Sequence, residues 1–203
     1  MTSNSTIQHM PHNSPRATAD HYIRHLRQLP SLPRFSIYLF GPQARFRRWL
    51  RKAKKAKQKK QHFDDALWQQ GLEVLGDVLL PNAYIGDRHT IRMVQHRLIH
   101  DEEEADAWTP YYPEGAVIEV TTRNFHTKVD RTVEEVLGLL LHEMCHAVLW
   151  SRSCACEDCK DLLLYKGGHG EEWEDLAGEC NGRVCVYSAF RRVSSGDSVE
   201  WKK

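Results

Sequence analysis

The chain has 203 residues, a hydrophobic content of 41% and a formal net charge of +1. These values indicate one soluble globular domain with tails, and the net charge gives no indication of a partner. Residues 1–20 are polar and no apolar run is long enough to span a membrane, so we expect neither a secretory signal nor a transmembrane segment. The expected location is nuclear or cytoplasmic, where the six cysteines favour metal binding or free thiols over disulfides.

The N-terminal part of the chain divides into two segments. Residues 1–43 are rich in proline and small polar residues and predict a flexible N-terminal arm. Residues 44–61 are strongly basic with apolar residues at helical spacing, which predicts a basic amphipathic helix. This helix could contact nucleic-acid phosphates, act as a nuclear address or lie on an anionic membrane surface, or its charges could only keep it soluble. The candidate DNA-contacting side chains are Arg45, Arg47, Arg48, Arg51, Lys52, Lys54 and Lys55.

Residues 62–192 are predicted to form the main folded domain, followed by a polar C-terminal tail over 193–203. Helical spacing over 63–80 predicts a core helix, and Thr132 with Glu135 has the spacing of a capping box at the start of a second, strongly apolar helix. Alternation over 117–122 predicts a strand. We interpret it as the edge strand above the active site, on which an extended substrate could pair, with a plain core strand as the alternative.

The central motif is His142-Glu143-Met144-Cys145-His146, an H-E-x-x-H pattern inside this apolar helix. Residues four apart share a helix face, so His142 and His146 can bind one Zn²⁺ ion. Glu143 projects beside them, within reach of a zinc-bound water, and is the candidate catalytic base. The alternative is two core histidines with a buried glutamate, which would bury these polar groups in an apolar helix with nothing to pair them.

A third zinc ligand is expected downstream of this motif. Gly167-Gly168-His169-Gly170 would let the chain turn sharply and bring His169 to the metal at the start of the next helix. Glu172 or Glu174 could serve instead, since a carboxylate completes some catalytic zinc sites. The alternative for His169 is an ordinary helix-start residue in a glycine turn.

Three closely spaced cysteines lie between the two motifs and form a candidate second metal site: Cys154, Cys156 and Cys159. A closed structural zinc site needs four ligands, so another cysteine or a histidine would have to complete it. Free thiols or an oxidised pair are the alternative.

The two motifs resemble those of the SprT-like metalloprotease family, which includes the Spartan proteases, and the cysteine-bearing insert resembles fungal members. The matching residues are His142-Glu143-Met144-Cys145-His146-Ala147 and Gly168-His169-Gly170-x-x-Trp173. The resemblance implies that His142, His146 and His169 bind zinc and that Glu143 is the base. It also implies action on DNA-crosslinked proteins with activation by DNA. Many family members carry a cysteine-rich zinc module after the protease domain, whereas only about a dozen polar residues follow the last predicted helix here.

Together these features predict an α+β, zincin-like metalloprotease domain with a small antiparallel sheet packed on helices. The predicted function is zinc-dependent endopeptidase activity on a protein substrate, with DNA as a candidate partner through the segment 44–60. The alternative is a metal-stabilised nucleic-acid-binding module with little or no protease activity, against which Glu143 argues because a structural site needs no base. Hydrolysis of a non-peptide bond is a third hypothesis.

Overall fold

The computed structural model describes residues 13–29, 41–58, 64–83, 89–95, 98–100, 103–109, 117–124 and 126–188. These residues form six α-helices, a 3₁₀ turn and seven short strands, so the fold is α+β, as predicted. No helix within these ranges is long and apolar enough to cross a membrane. The predicted tail over 193–203 and most of the predicted arm lie outside the described residues.

The elements follow one another along the chain with short strands between the third and fourth helices. In chain order they are α1 (Pro15–Gln28), α2 (Pro42–Gln58), α3 (Asp65–Leu79), β1 (Thr90–Val94), β2 (Leu98–His100), β3 (Glu103–Ala105), β4 (Ala107–Trp108), β5 (Val117–Thr121), β6 (Arg123–Asn124), β7 (Val129–Asp130), α4 (Val133–Arg152), α5 (Glu157–Leu164), the 3₁₀ turn (Tyr165–Gly168) and α6 (Glu171–Ser188).

The prediction of a flexible arm is wrong over Pro15–Gln28, which forms α1. Ser14 caps this helix by accepting a hydrogen bond from the Ala17 N–H, and a proline at the first helical position supports its start. The buried side chains of α1 follow helical spacing and pack in the same core as α4 and α6: Ala19, Tyr22, Ile23 and Leu26. An ion pair from Arg16 to Asp175, 2.7 Å long, joins its first turn to α6. This apolar stripe makes α1 part of the domain. The prolines in residues 1–43 had suggested a flexible segment instead.

The basic amphipathic helix is present as α2, and its apolar face packs on α3. Trp49 is buried, donates from its indole nitrogen to the Leu67 carbonyl at 2.7 Å and packs edge-on against Trp68. A Cβ at Gly71 would lie 2.3 Å from the Trp49 ring, so glycine allows the two helices to approach this closely. The basic segment is therefore part of the folded core and not an appended extension.

The main sheet has the strand order β1-β5-β4. β5 pairs in parallel with β1, from Thr90 opposite Val117 to Val94 opposite Thr121, and antiparallel with β4. The predicted antiparallel sheet is therefore mixed, because the chain between β1 and β5 crosses over to return in the same direction. β5 is the central strand of this sheet, with Ile118 and Val120 fully buried, so the edge-strand interpretation of 117–122 is wrong and the core-strand alternative holds.

Helix α4 runs through the core. The Thr132 hydroxyl accepts from the Glu135 N–H at 3.2 Å, and the Glu135 carboxylate accepts from the Thr132 N–H at 2.6 Å, which confirms the capping box. Buried residues occur on nearly every side of the helix, because it lies beneath β4 and β5 and also contacts α1, α2 and α6. This burial fixes the orientation of the motif that α4 carries.

Candidate metal centre

His142 and His146 lie one helical turn apart on the same face of α4. His142 is partly exposed and His146 is buried, and their Nε2 atoms are 3.2 Å apart. The helical repeat brings both rings to one point, as the motif predicts.

His169 reaches the same point from the turn that precedes α6. Lys166, Gly167 and Gly168 have positive φ values of 54°, 65° and 86°, so the chain reverses sharply between α5 and α6. A Cβ at Gly168 would lie 3.1 Å from Cε1 of His146, so only glycine fits here without displacing that ring. The glycine turn therefore performs both tasks expected of it: it bends the chain and allows His169 to approach α4.

The three imidazoles form a compact group. His169 Nε2 lies 3.0 Å from His142 Nε2 and 3.3 Å from His146 Nε2. Burial lowers the pKa of all three rings, that of His142 to about 3, so they are neutral near pH 7. Three neutral ring nitrogens converging at these distances could hold a metal ion.

The Trp173 side chain supports this group from α6. Its ring centroid lies 4.4 Å from that of His142, 5.2 Å from that of His146 and 4.6 Å from that of His169. It stacks nearly parallel on His146, with an interplanar angle of 22°. A rigid, buried indole in contact with all three rings restricts their rotation and so maintains their convergence.

Glu143 lies beside the histidines and is buried. Its Oε1 atom is 3.8 Å from His142 Nε2. Burial raises the pKa of Glu143 to about 7, and polar contact with Thr109, through both its side chain and its backbone, opposes the rise. Thr109 is buried directly after β4. No sequence motif marks Thr109, because only the packing of β4 on α4 brings it to Glu143.

Other candidate residues are not part of this group of three histidines. Among the described residues, the histidine cluster includes neither Glu172 nor Glu174. His126 is exposed in the turn between β6 and β7, where Asn124 accepts from its backbone N–H at 3.0 Å. Cys154, Cys156 and Cys159 form a separate group with their sulfur atoms within 4.8 Å of one another, and this group could also bind a metal ion.

The predicted DNA-contacting residues on α2 divide into two sets. Arg45 pairs with Asp77 at 2.7 Å, Lys54 pairs with Glu134 at 2.6 Å, and Lys52 donates to Gln70 at 3.4 Å. The other set lies opposite the buried face or beside it, away from these pairs: Arg47, Arg48, Arg51 and Lys55. Three of these basic side chains of α2 therefore interact with neighbouring helices, and the others are available on the surface.

His142, His146 and His169 converge beside the buried Glu143. This arrangement is the basis for a proposed function. α4 carries His142 and His146, and the turn before α6 carries His169. The Trp173 ring contacts all three of these histidine rings. Protein-family models, curated proteins and solved structures gave no match to this chain.

Proposed function

We propose that this chain is a zinc-dependent endopeptidase with a zincin-like, SprT-like catalytic domain. The observation that carries the proposal is the approach of three histidine Nε2 atoms to within 3.0–3.3 Å of one another, next to a buried carboxylate. Three histidines with one open position are a recurrent catalytic zinc site. A glutamate beside such a site has no structural task there, and its chemistry is that of a base.

The donor set fits zinc. Tetrahedral zinc with Zn–N bonds of about 2.0–2.1 Å separates its nitrogen ligands by roughly 3.3–3.4 Å. The observed Nε2 separations, 3.0–3.3 Å, are close to this range. The lowered pKa values of the three rings also favour binding, because no proton has to leave before an imidazole donates its lone pair near neutral pH.

The chain's own residues then have distinct roles. When bound, zinc supplies Lewis acidity to a water molecule and to the scissile carbonyl. Glu143 takes a proton from the attacking water and passes it to the leaving nitrogen, and a pKa of about 7 suits both transfers. Buried Thr109 lies beside the Glu143 carboxylate and opposes part of the rise in its pKa. His142, His146 and His169 hold the ion, and Trp173 keeps their rings in place.

Strand β4 lies next to the proposed catalytic base. It pairs with β5 on one side and is an edge strand of the sheet among the described residues. It ends at Trp108, next to the Thr109 residue that contacts Glu143. The fold thus brings this end of the main sheet to Glu143.

The test is Glu143→Gln, which keeps the shape of the side chain and removes its basicity. We expect zinc content to stay at the wild-type value while cleavage of casein, with and without DNA, falls by about 10²-fold or more. Glu73→Gln, at an exposed position of α3, is the control and should cleave normally. Undiminished cleavage by Glu143→Gln would remove this residue as the base.

Absence of cleavage by the zinc-loaded wild type, with DNA binding retained, would instead support the alternative of a nucleic-acid-binding module. DNA is our proposed partner because Arg48, Arg51 and Lys55 form the outer face of α2. Positive side chains on one helix face are suited to contact with phosphates.

A further inference from the structure

Three cysteines at the start of α5 form a group that the histidine site does not use. The sulfur atoms of Cys154, Cys156 and Cys159 all lie within 4.8 Å of one another. None of the three is in a disulfide; Cys159 is buried, while Cys154 and Cys156 are partly exposed. The sequence spacing places two of them in the connection after α4 and the third on the first turn of α5, so the group depends on the local fold.

The backbone around these thiols is ordered by specific hydrogen bonds. The Cys156 N–H donates to the Cys154 sulfur at 3.3 Å, and the Cys154 N–H donates to the Asn13 carbonyl at 2.7 Å. Cys156 is the N-cap residue of α5, but its side chain makes no capping hydrogen bond. Its sulfur lies within 4.8 Å of the other two sulfur atoms and does not cap the helix.

Helix α5 has little apolar contact to hold it in place. It spans eight residues, and its buried side chains are Cys159 and Leu163. A helix this short is marginal by itself and depends on anchoring to the rest of the protein. Yet α5 leads directly into the turn that carries His169, so any movement of α5 would be transmitted to the histidine group.

We propose that Cys154, Cys156 and Cys159 bind a second metal ion of the thiophilic, zinc-like class, which anchors the start of α5. Each sulfur loses its proton to solvent as its bond to the metal forms, so one divalent ion releases three protons with no change in oxidation state. This site does not depend on the proposed protease activity, and either site can be present without the other.

The charges near the thiols favour a cation. Glu157 and Asp158 lie on the first turn of α5, between Cys156 and Cys159 in the sequence. Three thiolates whose sulfur atoms lie within 4.8 Å of one another repel each other, and a bound cation removes that repulsion. Among the described residues no fourth side chain joins the group, so three thiolates would leave one position of a four-coordinate ion to a small external ligand.

The experiment uses full-length reduced protein carrying His169→Ala, which disables the histidine site, and compares it with His169→Ala/Cys156→Ser. Serine is a good N-cap residue, so the second substitution removes a sulfur without weakening the helix start. We expect the single variant to bind one Zn²⁺ per chain and, with Co²⁺, to show thiolate-to-metal charge-transfer absorption. The double variant should lose both the bound ion and the absorption.

Thermal melting adds a readout of anchoring. Saturating Zn²⁺ should raise the Tm of His169→Ala, since the ion binds the folded state, and this rise should disappear in the double variant. The proposal is overturned if His169→Ala binds no Zn²⁺, or if the cobalt absorption is the same in both variants. Should either variant fail to fold, zinc X-ray absorption on the wild type decides: sulfur among the zinc ligands supports the site, and a shell of only nitrogen and oxygen refutes it.

Discussion

At the scale of single residues, Gly168 connects backbone conformation to the candidate metal centre. Its φ is +86°, and a Cβ there would lie 3.1 Å from His146 Cε1 and 3.3 Å from its Nδ1. We predict that Gly168→Ala displaces the His146 ring and lowers zinc affinity by about tenfold or more. Competition with a chromophoric chelator would measure this change.

The neighbouring Gly167 provides a matched control for that substitution. It also has a positive φ, +65°, but a Cβ there would meet nothing within 4 Å. Gly167→Ala should therefore lose stability by about 1–2 kcal/mol, from backbone strain alone, with zinc affinity close to that of the wild type. Equal loss of zinc affinity in both variants would show that strain in the turn, and not contact with His146, controls binding.

At the scale of elements, the packing of α2 on α3 depends on Gly71. A Cβ at this position would lie 2.3 Å from Cζ2 and 2.5 Å from Cε2 of Trp49, and that ring is fixed by its hydrogen bond to the Leu67 carbonyl. We predict that Gly71→Ala destabilises the protein by about 1–3 kcal/mol, because the two helices must separate or Trp49 must leave its position. Urea unfolding would measure the loss.

A glycine-to-alanine substitution in α6 should instead stabilise the protein. Gly178 is exposed, and a Cβ there would meet nothing within 4 Å. Alanine has the higher helix propensity, so Gly178→Ala should stabilise by about 0.5–1 kcal/mol. If Gly71→Ala also stabilised the protein, helix propensity would outweigh the close α2–α3 contact and the prediction would be wrong.

The exposed face of α2 determines our prediction for DNA binding. Deleting this helix would remove buried Phe46 and Trp49 and so unfold the domain, which makes surface substitutions the informative test. Arg48→Gln with Arg51→Gln should weaken duplex DNA binding and reduce the slope of log affinity against log salt by roughly 1–2. Fluorescence anisotropy at several salt concentrations would measure both quantities.

The control for α2 is a pair of exposed basic residues elsewhere, Arg24 on α1 and Lys128 in the β6–β7 turn. Arg24→Gln with Lys128→Gln removes the same charge, so a general effect of net charge would appear equally in both proteins. An unchanged salt slope in the α2 variant would exclude this face as the DNA contact.

At the scale of the whole molecule, His25 links folding stability to pH. Burial lowers its pKa, its contact with the Val78 backbone opposes this, and the neighbouring His21 lowers it further. The unfolded chain therefore takes up the proton first as the pH falls below about 6.5. The contribution of His25 to stability is present above that pH and is lost as the pH falls toward the folded-state value.

Replacing His25 tests this linkage. In metal-free protein, His25→Gln should reduce the decrease in unfolding free energy between about pH 7.5 and pH 5.5, as measured by urea unfolding. His126→Gln, in an exposed turn, is the control and should leave the decrease unchanged. A pH dependence that is identical in His25→Gln and the wild type would show that burial of His25 does not contribute.

The features that arise within one helix could be predicted from the sequence. Thr132 and Glu135 identified the start of α4, and the spacing of His142 and His146 placed both rings on one face, because the helical repeat alone sets these relations. Apolar spacing in α2 likewise predicted an amphipathic helix that the structure contains.

Contacts between segments far apart in the chain could not be predicted and are known from the tertiary structure. It docked α1 on α6, paired β1 with β5 in parallel and brought Thr109 to Glu143. It also selected His169 over Glu172 and Glu174 to join the other two histidines. These contacts join segments far apart in the chain, and they depend on which buried surfaces fit together, which no local periodicity encodes.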